Sequence, residues 1–355
     1  MVHYIRFLSP PHVATTPKKA LGISVALAIT TDLGDTYLAQ DAELTVRVVE
    51  AQSMAVLSEQ KLMWKEHARA LKGNVVCNGK YAQRSIRVHV TTSETQHALA
   101  SMKMPQIMDV WSAIFVLADK VRSEPLVARE MPLSNGSVLQ IWEETGDSIA
   151  RHVWDASLGF LMYIETSLHS QDGDTDSRFV NQLQNSKTKS LQVLELGTGC
   201  GTLGIAFAQL CKSHVVLTDL EDAMDILHRN IKTAKVVPSS TLQGHVLDWG
   251  SDLDDSFNSK YDLILVSDCI YNPDSSVQLV QTLLHLVQRS PNALIVVGFK
   301  RRHSADDIFF EHMDQFQFVL LSQQKVDLPH IASDYDAYAP IIEFYIFRGS
   351  DYSSS

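Results

Sequence analysis

Four glycines, Gly197, Gly199, Gly201 and Gly204, follow the short apolar run LQVLELG (191–197), and Asp219 stands 20 residues beyond Gly199. These residue types at this spacing suit a cofactor cradle. Glycine takes tight dihedrals and lets a ligand approach the backbone. A helix that opens just after the turn offers unpaired N–H groups, and an acid ending the next strand can accept both hydroxyls of a ribose. Gly199-x-Gly201-x-x-Gly204 also satisfies the dinucleotide fingerprint. On spacing alone, a nicotinamide or flavin cofactor therefore stays open.

Glu195, inside the first strand, argues for a different ligand. A carboxylate there suits the α-ammonium of an amino-acid moiety and repels a pyrophosphate. It is also costly to bury without a partner. This favours S-adenosylmethionine, with capping of a neighbouring helix as the alternative use of the same side chain.

The remaining chemistry-bearing residues are scattered. His152, His245, His303 and His312 have no H-E-x-x-H spacing and no cysteine cluster beside them, so no metal site is expected. A P-loop lysine and a G-x-S-x-G elbow are both missing. Cys77, Cys200, Cys211 and Cys269 fit neither a zinc knuckle nor a disulfide scaffold, and reduced intracellular thiols are expected. The formal net charge of -11, from 30 basic and 41 acidic residues, does not favour a nucleic-acid surface. The longest early apolar stretch, Gly22–Thr31, is too short to cross a bilayer. The N-terminus does not read as a signal peptide. The expected location is cytoplasmic, with a nuclear fraction left open.

The elements that must position the cradle alternate between strand and helix. Strands are expected at 191–197, 214–219, 244–247, 261–267 and 293–299, with helices at 202–211, 221–231, 275–287 and 305–313. Their apolar runs suit strands buried on both faces. Two late runs, 316–322 and 341–347, read as a closing antiparallel pair. Residues 152–165 have helical apolar spacing, whereas the polar stretch 168–190 reads as a flexible surface loop. In the first part, 23–30, 43–49 and 85–92 read as strands, and KLMWKEHARALK (61–72) and MDVWSAIFVLADKV (108–121) as helices. This predicts an N-terminal α+β extension over 1–145 and a cofactor-binding domain over 146–350.

ELGTGCGTLGI, TDLEDAMDILHRNI, LDWG, YDLILVSDCIY and the upstream VWDAS together resemble the seven-β-strand, S-adenosylmethionine-dependent protein-lysine methyltransferases (methyltransferase family 16 type) over roughly 150–347. The resemblance implies an α/β fold, a Rossmann-like seven-stranded and mostly parallel sheet with a reversed last strand. It implies methyl transfer to a lysine nitrogen of a protein substrate such as a chaperone, an ATPase or a translation factor, without nucleic acid or membrane. By the same resemblance Trp154 lies beside the cofactor, Glu195, Gly197 and Gly199 line its methionine part, Asp219 takes the ribose, Trp249 flanks the adenine, and Ser267 ends the fourth strand. Asp268 and Tyr271 fill the D-x-x-Y position near the incoming nitrogen. Asp268 is expected to attract and orient the charged lysine, and Tyr271 to point its hydroxyl there and wall off water. Arg301 and Arg302 are expected either to meet an acidic patch on a protein substrate or to be solvated. An NAD(P)-dependent oxidoreductase and a non-catalytic interaction protein with a methyltransferase-like core are the competing readings.

Overall fold

The computed structural model describes residues 2–15, 21–119, 122–144, 149–169, 176–331 and 340–350. The chain forms two compact units, Met1–Ile149 with Pro329–Ala339, and Ala150–Leu328 with Pro340–Ser355.

The first unit is built on strands β1 (His3–Thr15), β2 (Leu21–Thr30), β3 (Ala42–Glu50), β4 (Val56–Trp64), β5 (Leu71–Cys77), β6 (Ser85–Thr92), β7 (Ile107–Met108), β8 (Val110–Ser112), β9 (Phe115–Val116), β10 (Leu126–Pro132) and β11 (Val138–Glu144). One α-helix, α1 (Ser93–Ala100), occurs among its described residues. The strands form two sheets, ordered β5-β2-β1-β7 and β11-β10-β8-β6-β3-β4, with β9 on β6. Alternation supplies the shared core: Ile23, Val25 and Leu27 of one sheet pack with Val46, Val48, Val88 and Val90 of the other.

The expected α+β extension is thus corrected to a β-rich unit. Residues 61–72 end one strand, turn, and begin another. Trp64 is buried and its indole N–H donates to the Leu38 carbonyl at 3.0 Å. Residues 108–119 are short strands and a 3-10 turn, with Val110, Trp111 and Ser112 all buried. A run apolar on every side carries no period that separates helix from buried strand. Residues 120 and 121 lie outside the described residues.

The second unit holds α2 (Asp155–His169), α3 (Ser177–Asn185), β12 (Leu191–Leu196), α4 (Thr202–Leu210), β13 (Ser213–Asp219), α5 (Met224–Thr233), β14 (Thr241–Val246), β15 (Leu263–Ser267), α6 (Pro273–Arg289), β16 (Leu294–Lys300), α7 (Asp307–Gln315), β17 (Val319–Asp327) and β18 (Ile341–Arg348). The sheet order is β14-β13-β12-β15-β16-β18-β17. The first five strands pair in parallel, and β18 runs antiparallel to both β16 and β17. The first late strand begins at Val319 rather than 316, because Phe316 closes α7 and Gln317 turns at φ 62°.

The expected loop over 168–190 is also corrected. Asp176 caps α3 by accepting from the Arg178 and Phe179 N–H groups. Phe179 and Leu183, four apart, are buried, and the Phe179 ring stacks on Tyr163 at 5.3 Å. About one core contact per helix turn, on a shared face, docks this polar segment. Residues 170–175, within that expected loop, lie outside the described residues. Because β12 to β16 are parallel, their carboxyl ends share one edge, where crossover loops leave room for ligands.

Candidate functional site

Two positions of the turn after β12 cannot carry side chains. Gly197 and Gly199 have φ of 65° and 56°, in the region L side chains rarely adopt. A Cβ at Gly197 would collide with Cys269 Sγ and lie 3.3 Å from Trp249 Cζ2, and one at Gly199 would lie 2.9 Å from the Ala150 carbonyl. The turn therefore brings Trp249 and Cys269 against its bare backbone. The Cys269 thiol donates to the Leu196 carbonyl at 3.3 Å, and burial pushes its pKa up. It is a packing residue of this cradle.

Two carboxyl groups occupy the N–H groups of the turn. Glu195, 1% exposed, accepts at Oε2 from Thr198 Oγ1 at 2.7 Å and from the Gly204 N–H at 2.8 Å. It thereby satisfies an orphan donor at the start of α4, which has no side-chain N-cap of its own. Burial pushes the Glu195 carboxyl up to about 8. The carboxyl group thus caps a helix beside the glycine turn, and burial favours its neutral form. Asp219 accepts from the Gly199 N–H at Oδ2, 2.7 Å, and from the Leu220 N–H at Oδ1, 2.8 Å. Burial raises its pKa as well. A carboxylate has about four acceptor directions, so Asp219 keeps room for hydroxyl donors.

Asp268 follows β15 with φ 56°. Its N–H donates to the Gly298 carbonyl at 2.8 Å. Arg302 forks onto its carboxylate, Nη1 to Oδ1 at 2.7 Å and Nη2 to Oδ2 at 2.8 Å. The Lys300 N–H reaches Oδ1 at 3.3 Å. Asp268 is therefore already paired with a cation. Tyr271 is 56% exposed. Burial of its inner part, with Cys269 and Asp219 nearby, raises its hydroxyl pKa.

The arginines after β16 both meet acidic side chains of this chain, and Arg301 is exposed. Arg301 pairs with Asp307 at 2.6 Å and Glu343 at 3.3 Å. The Arg302 guanidinium lies 5.7 Å from the Trp154 ring centroid, which places Trp154 at the Asp268 end of the site. Beside it, Lys300 Nζ meets the fully buried Asp155 at 2.7 Å. Neither the Arg302–Asp268 nor the Lys300–Asp155 pair was anticipated from sequence. The 34- and 145-residue separations leave no local spacing signal.

The site thus has two ends. Gly197, Gly199, Asp219 and Trp249 form a cradle, and Trp154, Asp268 and Arg302 gather at the ends of β15 and β16. Ser267 ends β15 opposite Gly298, and its Oγ is buried with no hydrogen-bond partner. Such an orphan is a place for a ligand's polar atom. The bare glycine backbone, the open acceptor directions of Asp219 and the Ser267 hydroxyl fit a nucleoside joined to an amino acid. They do not fit a diphosphate, because two of the N–H groups it would need already serve Asp219 and Glu195.

A fission-yeast (Schizosaccharomyces pombe) protein of the UPF0665 family is 27% identical over 299 residues, covering 82% of this chain and 86% of that protein. Protein N-lysine methyltransferase METTL21A of Xenopus tropicalis is 34% identical over 183 residues, 50% of this chain and 73% of that one. EEF1A lysine methyltransferase 3 of the same frog is 29% identical over 51% of this chain and 73% of its own length. The family model described as lysine methyltransferase matches residues 133–316. That span is more than half of the chain and contains the whole cradle and both ion pairs, and the chain belongs to this lysine methyltransferase family.

Proposed function

We propose that this protein transfers the methyl group of S-adenosylmethionine to a lysine side chain of a cellular protein, from a Rossmann-like core. The observation that carries the reading is the pairing of a glycine turn with no room for side chains at Gly197 and Gly199, bounded by Asp219, with an acid at the end of the neighbouring strand, Asp268. Gly197 and Gly199 would hold the methionine part, Asp219 the ribose hydroxyls and Trp249 one face of the adenine. Ser267 and Trp154 would lie along the path between the two ends. The bound cofactor supplies a methyl on a cationic sulfur, a leaving group that needs no metal or acid.

The chain's own residues must present a neutral amine in line with that methyl. Asp268 accepts a hydrogen bond from the amine and fixes its direction, and alignment of this kind is worth orders of magnitude in rate. Tyr271 offers a hydroxyl at the mouth. Translation factors are the first substrates to test, since one relative is named for EEF1A. Chaperones and ATPases follow, and the cytoplasm and nucleus are the proposed setting.

Incubation with labelled S-adenosylmethionine and a whole-cell protein extract, followed by mass mapping, tests the reading. The expected result is label on lysine. In D268A the labelling rate should fall by at least about 100-fold while S-adenosylhomocysteine still binds. Binding of NAD(P) in preference to S-adenosylhomocysteine would defeat the proposal. Cofactor binding without transfer to any extract protein would leave a non-catalytic interaction protein.

A further inference from the structure

We propose that Arg302 is a positioning residue that keeps the acceptor lysine neutral by cancelling the charge of Asp268, an inference that rests on the methyltransferase reading above. Lysine in water is almost wholly ammonium at pH 7. A bare carboxylate in contact with it would favour that charged form. An isolated Asp268 would therefore hold the acceptor tightly in the state that cannot react.

The geometry removes this conflict. Asp268 sits at φ 56°, a conformation that persists only where surrounding bonds hold it. Its N–H is tied to the Gly298 carbonyl, and its carboxylate is tied to both Nη atoms of Arg302. Oδ1 takes two donors, Arg302 and the Lys300 N–H. Oδ2 takes only Arg302. One acceptor direction stays open on Oδ2, so an amine N–H can dock there without displacing the guanidinium. The amine then faces a neutral pair, with a permanently charged cation as its neighbour.

Further charged and titratable groups stand around the pair among the described residues. The Lys300 ammonium pairs with Asp155, held at the start of α2. From the turn before α7, Asp306 accepts the N–H groups of Arg302 and His303 at 3.0 and 3.1 Å, and the His303 ring accepts from the Ala305 N–H. On the α6 side, the Tyr271 hydroxyl and the Cys269 thiol are held neutral by burial. Asp219 and Asp222 are the acids acting on Tyr271 from the end of β13.

The lysine gives one proton to solvent as it docks. Its nitrogen lone pair then forms the C–N bond while the C–S electron pair leaves with sulfur. The product is an N-methylammonium that keeps both remaining hydrogens.

The test is single-turnover transfer from enzyme-bound, labelled S-adenosylmethionine to excess whole-cell protein extract. It is scored as N-methyllysine from roughly pH 6 to pH 11, the range that brackets lysine ionisation. In Arg302→Gln the acid limb of the bound-state rate should move up by about one pH unit or more, with the rate recovering at the alkaline end. Arg302→Lys, which keeps the charge but not the fork, should keep the limb near that of the unaltered protein. Asp268→Asn should be slow, with its limb moved to lower pH. A limb that stays put in Arg302→Gln, or a rate lowered equally at every pH, overturns the role of Arg302. If Arg302→Gln does not fold, a limb displaced upward in Arg302→Lys overturns it instead. Absence of N-methyllysine with the unaltered protein overturns the methyltransferase reading itself, so the two failures are distinguishable.

Discussion

A carboxyl group held neutral beside a helix start responds to whatever charge arrives next. Glu195 has a folded-state pKa of about 8, against an ordinary 4.5, because burial outweighs its two hydrogen bonds. Between those values the unfolded chain gives up the proton and the folded chain keeps it. Stability should therefore fall as pH rises from about 4.5 to about 8 and level off above. An ammonium of a bound amino-acid moiety would pull the other way, favouring the ionised carboxylate. Binding would then release a proton, and affinity would climb with pH to a plateau near 8. In E195Q the amide oxygen can still accept from Thr198 and Gly204, but no charge can form. Calorimetric titration of S-adenosylhomocysteine in buffers of different ionisation enthalpy should show proton release in the unaltered protein and none in E195Q. Thermal melts of E195Q should lose the decline between pH 6 and pH 8. Equal proton release in both proteins would mean that the ligand's cation does not sense Glu195.

At the scale of elements, α3 separates what pattern reading can and cannot find. The segment is polar, and its packing rests on Phe179 and Leu183, with the cap at Asp176. Phe179 is fully buried against Tyr163, so Phe179→Ala should destabilise the protein by about 3–5 kcal/mol in a denaturant titration. A loop over these residues would give a change near zero. β12, β15 and β16 were legible because parallel strands buried on both faces read as continuous apolar runs. The cradle was legible because Gly197, Gly199 and Asp219 sit at fixed distances along one β-α-β passage. The sandwich was only half legible. β2, β3 and β6 alternate clearly, but the strand ending in Trp64 and the run through Val110–Ser112 present apolar residues at spacings a helix shares. The Arg302–Asp268 and Lys300–Asp155 pairs were illegible for a different reason, since they are made by the fold and join residues far apart in the chain.

At the scale of the whole chain, the boundary between the units is not a single cut. The chain leaves the methyltransferase unit after Leu328 and rejoins it at Pro340, and the Leu328 N–H donates to the Pro340 carbonyl at 2.9 Å, closing the base of the excursion. Ile331 packs against the core of the first unit. A truncation that removes only residues 1–149 therefore strips Ile331 of its apolar neighbours while keeping the segment that carries it. The fission-yeast match, at 299 residues, is longer than the second unit and so runs into the first, whereas the METTL21A match covers about half of the chain. Sequence outside the shared half is where a preference for one protein substrate over another can be stored. The informative variant starts at Ala150 and replaces 329–339 by a short Gly-Asn turn, the connection favoured between paired antiparallel strands. Because β17 and β18 pair from Val319↔Arg348 to Asp327↔Ile341, with one register shift between Leu320 and Ser322 and none at the Asp327 end, and all the cradle residues lie within 150–328, this variant should fold and bind S-adenosylhomocysteine as the full chain does. If the first unit selects the substrate, the variant should lose labelling of the extract protein that the full chain modifies. Retained labelling of that same protein at the same lysine would place substrate choice in the methyltransferase unit alone.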